Sequence, residues 1–158
     1  LAPIVEPIVQ KDAKVLHVGV GNSLVVEQML QAGYQDQTCI DISATVISQM
    51  KERYPDKPIV WEVMDARNTS FEAGTFDAVL DKGLLEAVAA GRDCSLSEEN
   101  CKLSQPEEDV IREAHRLLRR GGLFIAVTDE ISLDPALWTA DSQVADTLGN
   151  GTARVVIA

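Results

Sequence analysis

The chain has 158 residues, 46% of them hydrophobic and 25% charged, values of one globular domain rather than of a disordered segment. No apolar run approaches the roughly 18 residues that a membrane helix needs. Its 25 acidic against 14 basic residues leave a formal charge of −11, which repels nucleic-acid phosphates and suits a basic protein or amine partner as well as simple solubility.

Val15 to Val18 is a short apolar run of the kind that forms a buried parallel strand. It feeds the glycine turn Gly19-Val20-Gly21-Asn22-Ser23. A helix follows, with Leu24, Val25, Gln28, Met29 and Ala32 on its apolar face, Asn22 or Ser23 as cap and Gly33 as its close. Thr38 to Ile40 reads as a second strand ending at Asp41. Ser43 then caps a helix to about Arg53, with Ile42, Val46, Ile47 and Met50 at helical spacing, and Pro55 and Pro58 stop it.

Ile59 to Met64 is the third strand, followed by Asp65 and a polar loop; Phe76 to Leu80 is the fourth, ending at Asp81. Leu84 to Ala90 reads as a short helix and residues 91–105 as a polar, acidic loop. Pro106 starts a helix whose buried stripe is Val110, Ile111, Ala114, Leu117 and Leu118. Gly121-Gly122 ends that helix, and Leu123 to Thr128 is the fifth strand. Ala136 to Val144 and Ala153 to Ala158 form an antiparallel pair around a turn at Gly149-Asn150-Gly151.

The three cysteines, Cys39, Cys94 and Cys101, show no metal-type spacing and read as reduced thiols of a cytoplasmic protein. Cys39 falls in a strand, while Cys94 and Cys101 flank the polar loop, where a disulfide between them is the alternative. His17 and His115 are too few for a metal site, and His17 reads as a packed strand residue. Arg112, Arg116, Arg119 and Arg120 are expected to complement the negative end of their helix.

Strand and helix in alternation, then a hairpin, specify an α/β fold: a doubly wound, mostly parallel sheet with a terminal antiparallel hairpin, in a single domain over residues 1–158. Ligands of such sheets bind at the carboxyl ends of the strands. Gly19 to Ser23, Asp41, Asp65 and Asp81 all fall on that rim. Each acid also has a plainer reading. Asp41 precedes a helix it could cap, and Asp65 could form a turn before Asn68 and Thr69. Asp81, after a strand and before a glycine, has the weakest such alternative.

The segments VLHVGVGNS, DIS, WEVMDAR, FDAVLDKGLLEA and EAHRLLRRGGLF resemble those of class I S-adenosylmethionine-dependent methyltransferases, a Rossmann-like family. Within it the chain is most similar to the methyltransferase-like 13 branch, whose members modify lysine or the amino terminus of elongation factor 1A. The resemblance covers Lys14 to Thr128. It implies S-adenosylmethionine as cofactor, S-adenosylhomocysteine as product, and a protein substrate; the charge and the lack of a long apolar run add a basic substrate with no nucleic-acid or membrane partner, and a monomer is expected.

By the same resemblance, Gly19, Val20, Gly21 and Asn22 would lie along the methionine part and the ribose. Asp41 would accept from the ribose hydroxyls, Ile42 would pack on the adenine, and Asp65 with the Ala66 backbone would meet the adenine edge. Asp81 would face the methionine ammonium and orient the acceptor, with Lys82 and Gly83 shaping that wall. The chain departs from the family at Val20, where cysteine is common, and at Leu84, where a hydroxyl is usual. It is also short before the first strand and after the fifth, so it is either trimmed or a compact divergent member. A small-molecule methyltransferase and a catalytically silent binding module are the competing readings, and an NAD-linked dehydrogenase ranks last.

Overall fold

The computed structural model describes residues 5–89, 105–127, 136, 138–142 and 153–157. Its strands are β1 (Val15–Val18), β2 (Gln37–Asp41), β3 (Ile59–Val63), β4 (Phe76–Asp81), β5 (Leu118–Val127), β6 (Thr139–Ser142) and β7 (Ala153–Ile157). The helices are α1 (Val25–Gln31), α2 (Ala44–Arg53), α3 (Leu84–Ala89) and α4 (Gln105–Leu117). All seven strands join one sheet in the order β3-β2-β1-β4-β5-β7-β6. The first five pair in parallel, and β7 runs antiparallel to both β5 and β6. The expected α/β sheet and its terminal antiparallel element are both present.

Every residue of β1 is buried, as its unbroken apolar run requires of a strand covered on both faces. Alternate side chains feed two layers. Val15, Ala78, Leu80 and Ile125 pack against Val25 and Met29 of α1, and nearby Ile47 and Met50 of α2 close over Cys39, Ile59 and Trp61. On the opposite face Leu16, Ile40, Val79 and Phe124 meet Val110, Ile111, Ala114 and Leu117, four of the five stripe residues read from the sequence; the fifth, Leu118, is buried but opens β5 instead. Neighbouring order reverses between β1 and β4, which opens a crevice at their carboxyl ends.

Local signals fared well at several ends. Ser43 Oγ accepts from Val46 N at 3.3 Å and caps α2. Gly33, at φ +100°, closes α1 while Tyr34 N donates to Met29 O. At the other end of α1 only Ser23 contributes, its Oγ accepting from Val25 N at 3.2 Å.

Gly121-Gly122 corrects the reading that glycines end the helix. The helix stops at Leu117, and β5 already begins at Leu118, so the glycines lie inside a strand. Phe76 pairs with Leu118 and Ala78 with Leu123, so Asp77 alone faces residues 119–122. Gly121 takes φ +76°, and a Cβ on Gly122 would sit 2.9 Å from Arg119 O and 3.1 Å from Asp77 O. The pair is therefore a bulge that only glycine fits.

Arg116 lies in the last turn of α4, where a cation complements the negative helix end as expected. Arg116 pairs with Glu113 at 2.6 Å and donates to Phe71 O, which ties the loop before β4 to α4. Arg119 pairs with Asp77 across the bulge, and Arg112 stands 3.7 Å from Asp109. Specific carboxylates thus hold these three, for Arg116 in addition to its place at the helix end. Cys94, Cys101, the loop at 91–104 and the turn at 149–151 lie outside the described residues, whereas Cys39 is a buried free thiol.

Candidate active site

A cleft of about 560 Å³ opens at the carboxyl ends of β1 to β4, within the size range of small-molecule sites. Its floor is the turn from Gly19 to Ser23. Gly19 and Gly21 adopt φ of +57° and +54°, left-handed conformations that favour glycine. Val20 turns its side chain into the core, so the turn offers backbone to the cleft, and its amide donates to Ile40 O at 3.1 Å.

Asp41 joins that turn to the next helix. Its Oδ2 accepts from Gly21 N at 2.9 Å, and its Oδ1 accepts from Ser43 N at 2.9 Å. Because the Ser43 hydroxyl caps α2, the capping alternative for Asp41 fails. Each carboxylate oxygen has taken a single donor and keeps a lone pair for another, which is what a diol requires. Beside it Ile42 is 69% exposed, a bare apolar side chain at the lip of the cleft.

Asp65 stands at the same lip and is differently engaged. Arg67 donates to it through its backbone N at 2.9 Å, through Nε at 3.0 and 3.1 Å, and through Nη2 at 2.6 Å. Those side-chain bonds hold the Asp65 carboxyl below the usual carboxylate range. Ala66 is buried between them and contributes its side chain to the core.

Asp81 lies elsewhere than the sequence suggests. Its side chain has no exposure, and it lies outside the cleft lining. Oδ1 accepts from Leu84 N at 2.7 Å and Oδ2 from Leu85 N at 3.1 Å, so the carboxylate caps α3. Burial pushes its pKa up to about 6 against the pull of those amides. The role dismissed most readily from the sequence is the one it has. Its contribution to the site is indirect: it fixes the turn through which Lys82 and Gly83 line the cleft.

Leu84 forms the wall opposite the glycine turn. A Cβ placed on Gly19 would lie 2.8 Å from the Leu84 Cβ, so the two elements touch only because Gly19 has no side chain. Met64, Arg67, Ala87, Val88 and Val110 complete the lining and were not singled out as site residues. Met64 and Arg67 flank Asp65 and could have been found by adjacency. Val110 carries only the signal of a buried helix stripe. Beneath the turn, His17 Nε2 lies 2.8 Å from Gln37 Oε1, whose amide nitrogen donates to Tyr34 O. His17 therefore donates, and burial lowers its pKa to about 4. Among the described residues no cluster of three metal-ligating side chains occurs.

The methyltransferase domain family matches residues 16–126, which spans β1 to β5 and every element of the cleft. The chain belongs to that family. An eEF1A lysine and N-terminal methyltransferase of Danio rerio is 35% identical over 130 residues, covering 81% of this chain and 17% of that protein. EEF1A lysine methyltransferase 4 of Mus musculus is 35% identical over 128 residues, covering 79% of the chain and 49% of the relative. The methyltransferase domain described here thus spans half or less of these relatives' lengths.

Solved structures agree on the fold. A SAM-dependent methyltransferase of Methanosarcina mazei superposes with a TM-score of 0.70 at 16% identity, covering 99% of this chain and 96% of the other. A didemethyltoxoflavin N1-methyltransferase of Burkholderia thailandensis, solved with S-adenosylhomocysteine, superposes at 0.62 with 16% identity, covering 99% and 74%. The cleft suits such a ligand on its own evidence. It presents glycine backbone, a carboxylate with two spare acceptor sites, and an uncovered apolar side chain next to it.

Proposed function

We propose that this methyltransferase domain transfers the methyl group of S-adenosylmethionine to an amine of a basic protein, a lysine or amino terminus of the elongation factor 1A type. The observation that carries this reading is Asp41, braced by Gly21 and Ser43 with both oxygens still able to accept. The relatives named as eEF1A methyltransferases and the net charge of −11 support the acceptor.

In this reading Asp41 receives the ribose hydroxyls, and Gly19, Val20, Gly21 and Asn22 run their backbone along the ribose and the methionine part. Ile42 covers one adenine face, while Asp65 and the Ala66 backbone meet the adenine edge. When bound, the sulfonium supplies a methyl group already activated for displacement. The protein has then to place an amine in line with it, and positioning of this kind lowers barriers without any covalent intermediate.

A lysine acceptor, with an ordinary pKa near ~10.4, must first lose a proton. Leu84, Ala87, Val88 and Val110 give that region an apolar lining, and desolvation there favours the neutral amine. The two carboxylates on the lining are held by backbone or arginine donors, and Asp81 caps α3. No lining side chain is assigned as a dedicated base, and Asp81 acts as a positioning residue.

Among the described residues no helix is long and apolar enough to cross a membrane, and the sequence's odd number of cysteines without metal-type spacing supports the cytoplasm. Incubation with labelled S-adenosylmethionine and purified elongation factor 1A tests the proposal. Label on a lysine or the amino terminus supports it. Label confined to small amines in a metabolite screen would replace it with the small-molecule reading, and bound cofactor without any acceptor would favour the silent module.

A further inference from the structure

Asp41 and Asp65 line the same cleft but are not equally available. A carboxylate offers about four lone-pair sites. Asp41 has used two, one on each oxygen. Asp65 is more heavily engaged: Arg67 N reaches its Oδ1, Nη2 its Oδ2, and the single Nε hydrogen is shared between the two oxygens. As the chain stands, an exocyclic amine reaching for Asp65 meets an arginine already paired with both of its oxygens.

Arg67 has somewhere else to go. It lines the cleft and also a neighbouring groove along α4, in which Glu113 is taken by Arg116 while Asp109 is engaged only at 3.7 Å by the exposed Arg112 among the ion pairs described. Half-exposed and anchored only through this pair, its guanidinium can leave Asp65 without disturbing the core. Asp109 already bears electrostatically on Arg67 from that groove.

We propose that Arg67 is a specificity-determining latch: it occupies Asp65 in the free protein, and a 6-amino purine must displace it towards the Asp109 side to be recognised. This rests on the reading of the cleft as an adenosyl site and adds a competitor to it. A ligand whose base carries a 6-oxo group has no proton for Asp65 and leaves the latch closed. The guanidinium is then an available donor for that oxygen. The arginine thus narrows discrimination between amino and oxo purines, because the amino base alone must break an existing bidentate pair.

Calorimetric titration of the chain and its Arg67→Met variant with S-adenosylhomocysteine and S-inosylhomocysteine tests this. Arg67 is exposed, and thermal unfolding confirms that the variant folds. Exposed ion pairs are worth little, so the expected gain is modest. Arg67→Met should bind the adenosyl ligand about three- to fivefold tighter and the inosyl ligand no tighter, so that the amino-to-oxo preference widens. A variant that binds the adenosyl ligand equally or more weakly overturns the latch, because Arg67 would then be holding Asp65 for the ligand. Failure of the unaltered chain to bind either ligand would instead overturn the adenosyl reading of the cleft.

Discussion

Replacing Asp41 by alanine separates its two tasks, bracing the glycine turn and gripping a ribose. In the free protein the carboxylate accepts from Gly21 N and Ser43 N, each at 2.9 Å in partly buried surroundings. Water can reach these amides once the side chain is gone, so the loss of stability should be about 1–2 kcal/mol. Two ribose hydroxyls donating to the ionised group are worth about 1.5 kcal/mol each, or about 3 kcal/mol together. That corresponds to an affinity for S-adenosylhomocysteine about 150-fold weaker.

Calorimetry measures that affinity, and a second ligand assigns the loss. A 2′,3′-dideoxy analogue cannot donate to Asp41, so the unaltered chain and the Asp41→Ala variant should bind it equally. If the variant lost as much affinity for the analogue as for the parent ligand, collapse of the turn would be the cause and the ribose contact would be wrong. An Asp41→Ala variant within threefold of the unaltered chain for S-adenosylhomocysteine would refute the site as drawn.

Acid should act on two buried groups in opposite directions. His17 has a folded pKa of about 4 against an ordinary 6.5, so the unfolded chain protonates first and stability falls from pH 6.5 towards 4, by about 2 kcal/mol at pH 5. Asp81 has a folded pKa of about 6 against an ordinary 3.8. It takes up its proton first in the folded state, so stability is gained as pH falls from about 6 towards 3.8, somewhat over 1 kcal/mol by pH 5. These terms nearly cancel in the unaltered chain. Asp81→Asn should expose the His17 term as a loss of about 2 kcal/mol between pH 7 and pH 5 in urea unfolding, and a flat profile for that variant would contradict the assignment. Gly122→Ala places a Cβ within 3.1 Å of two backbone oxygens and should cost about 1–3 kcal/mol in the same assay, with no loss of ligand affinity in the folded fraction.

The elements that the sequence made legible are those whose signals are local. The unbroken apolar run of β1, the positive-φ glycines after it, the Ser43 cap and the apolar stripe of α4 each follow from spacing and side-chain chemistry within a few residues. The resemblance added the identity of the family, and the match over residues 16–126 confirms it. Glycines at 121–122 misled for the same local reason. A glycine pair after a helix normally means its end, whereas here the bulge against Asp77 demands them.

What each rim carboxylate does could not be read in that way. Asp41, Asp65 and Asp81 all follow a strand and precede a turn or helix, so their local signatures are nearly the same. Asp41 reaches back across twenty residues to Gly21, Asp65 is taken by an arginine two residues on, and Asp81 turns into the interior to cap α3. Which donor each oxygen finds depends on the neighbouring strand and on burial, and those exist only once the sheet is assembled. The sequence by itself determined where the cleft would be. The packed sheet decided which of its acids stay open to a ligand.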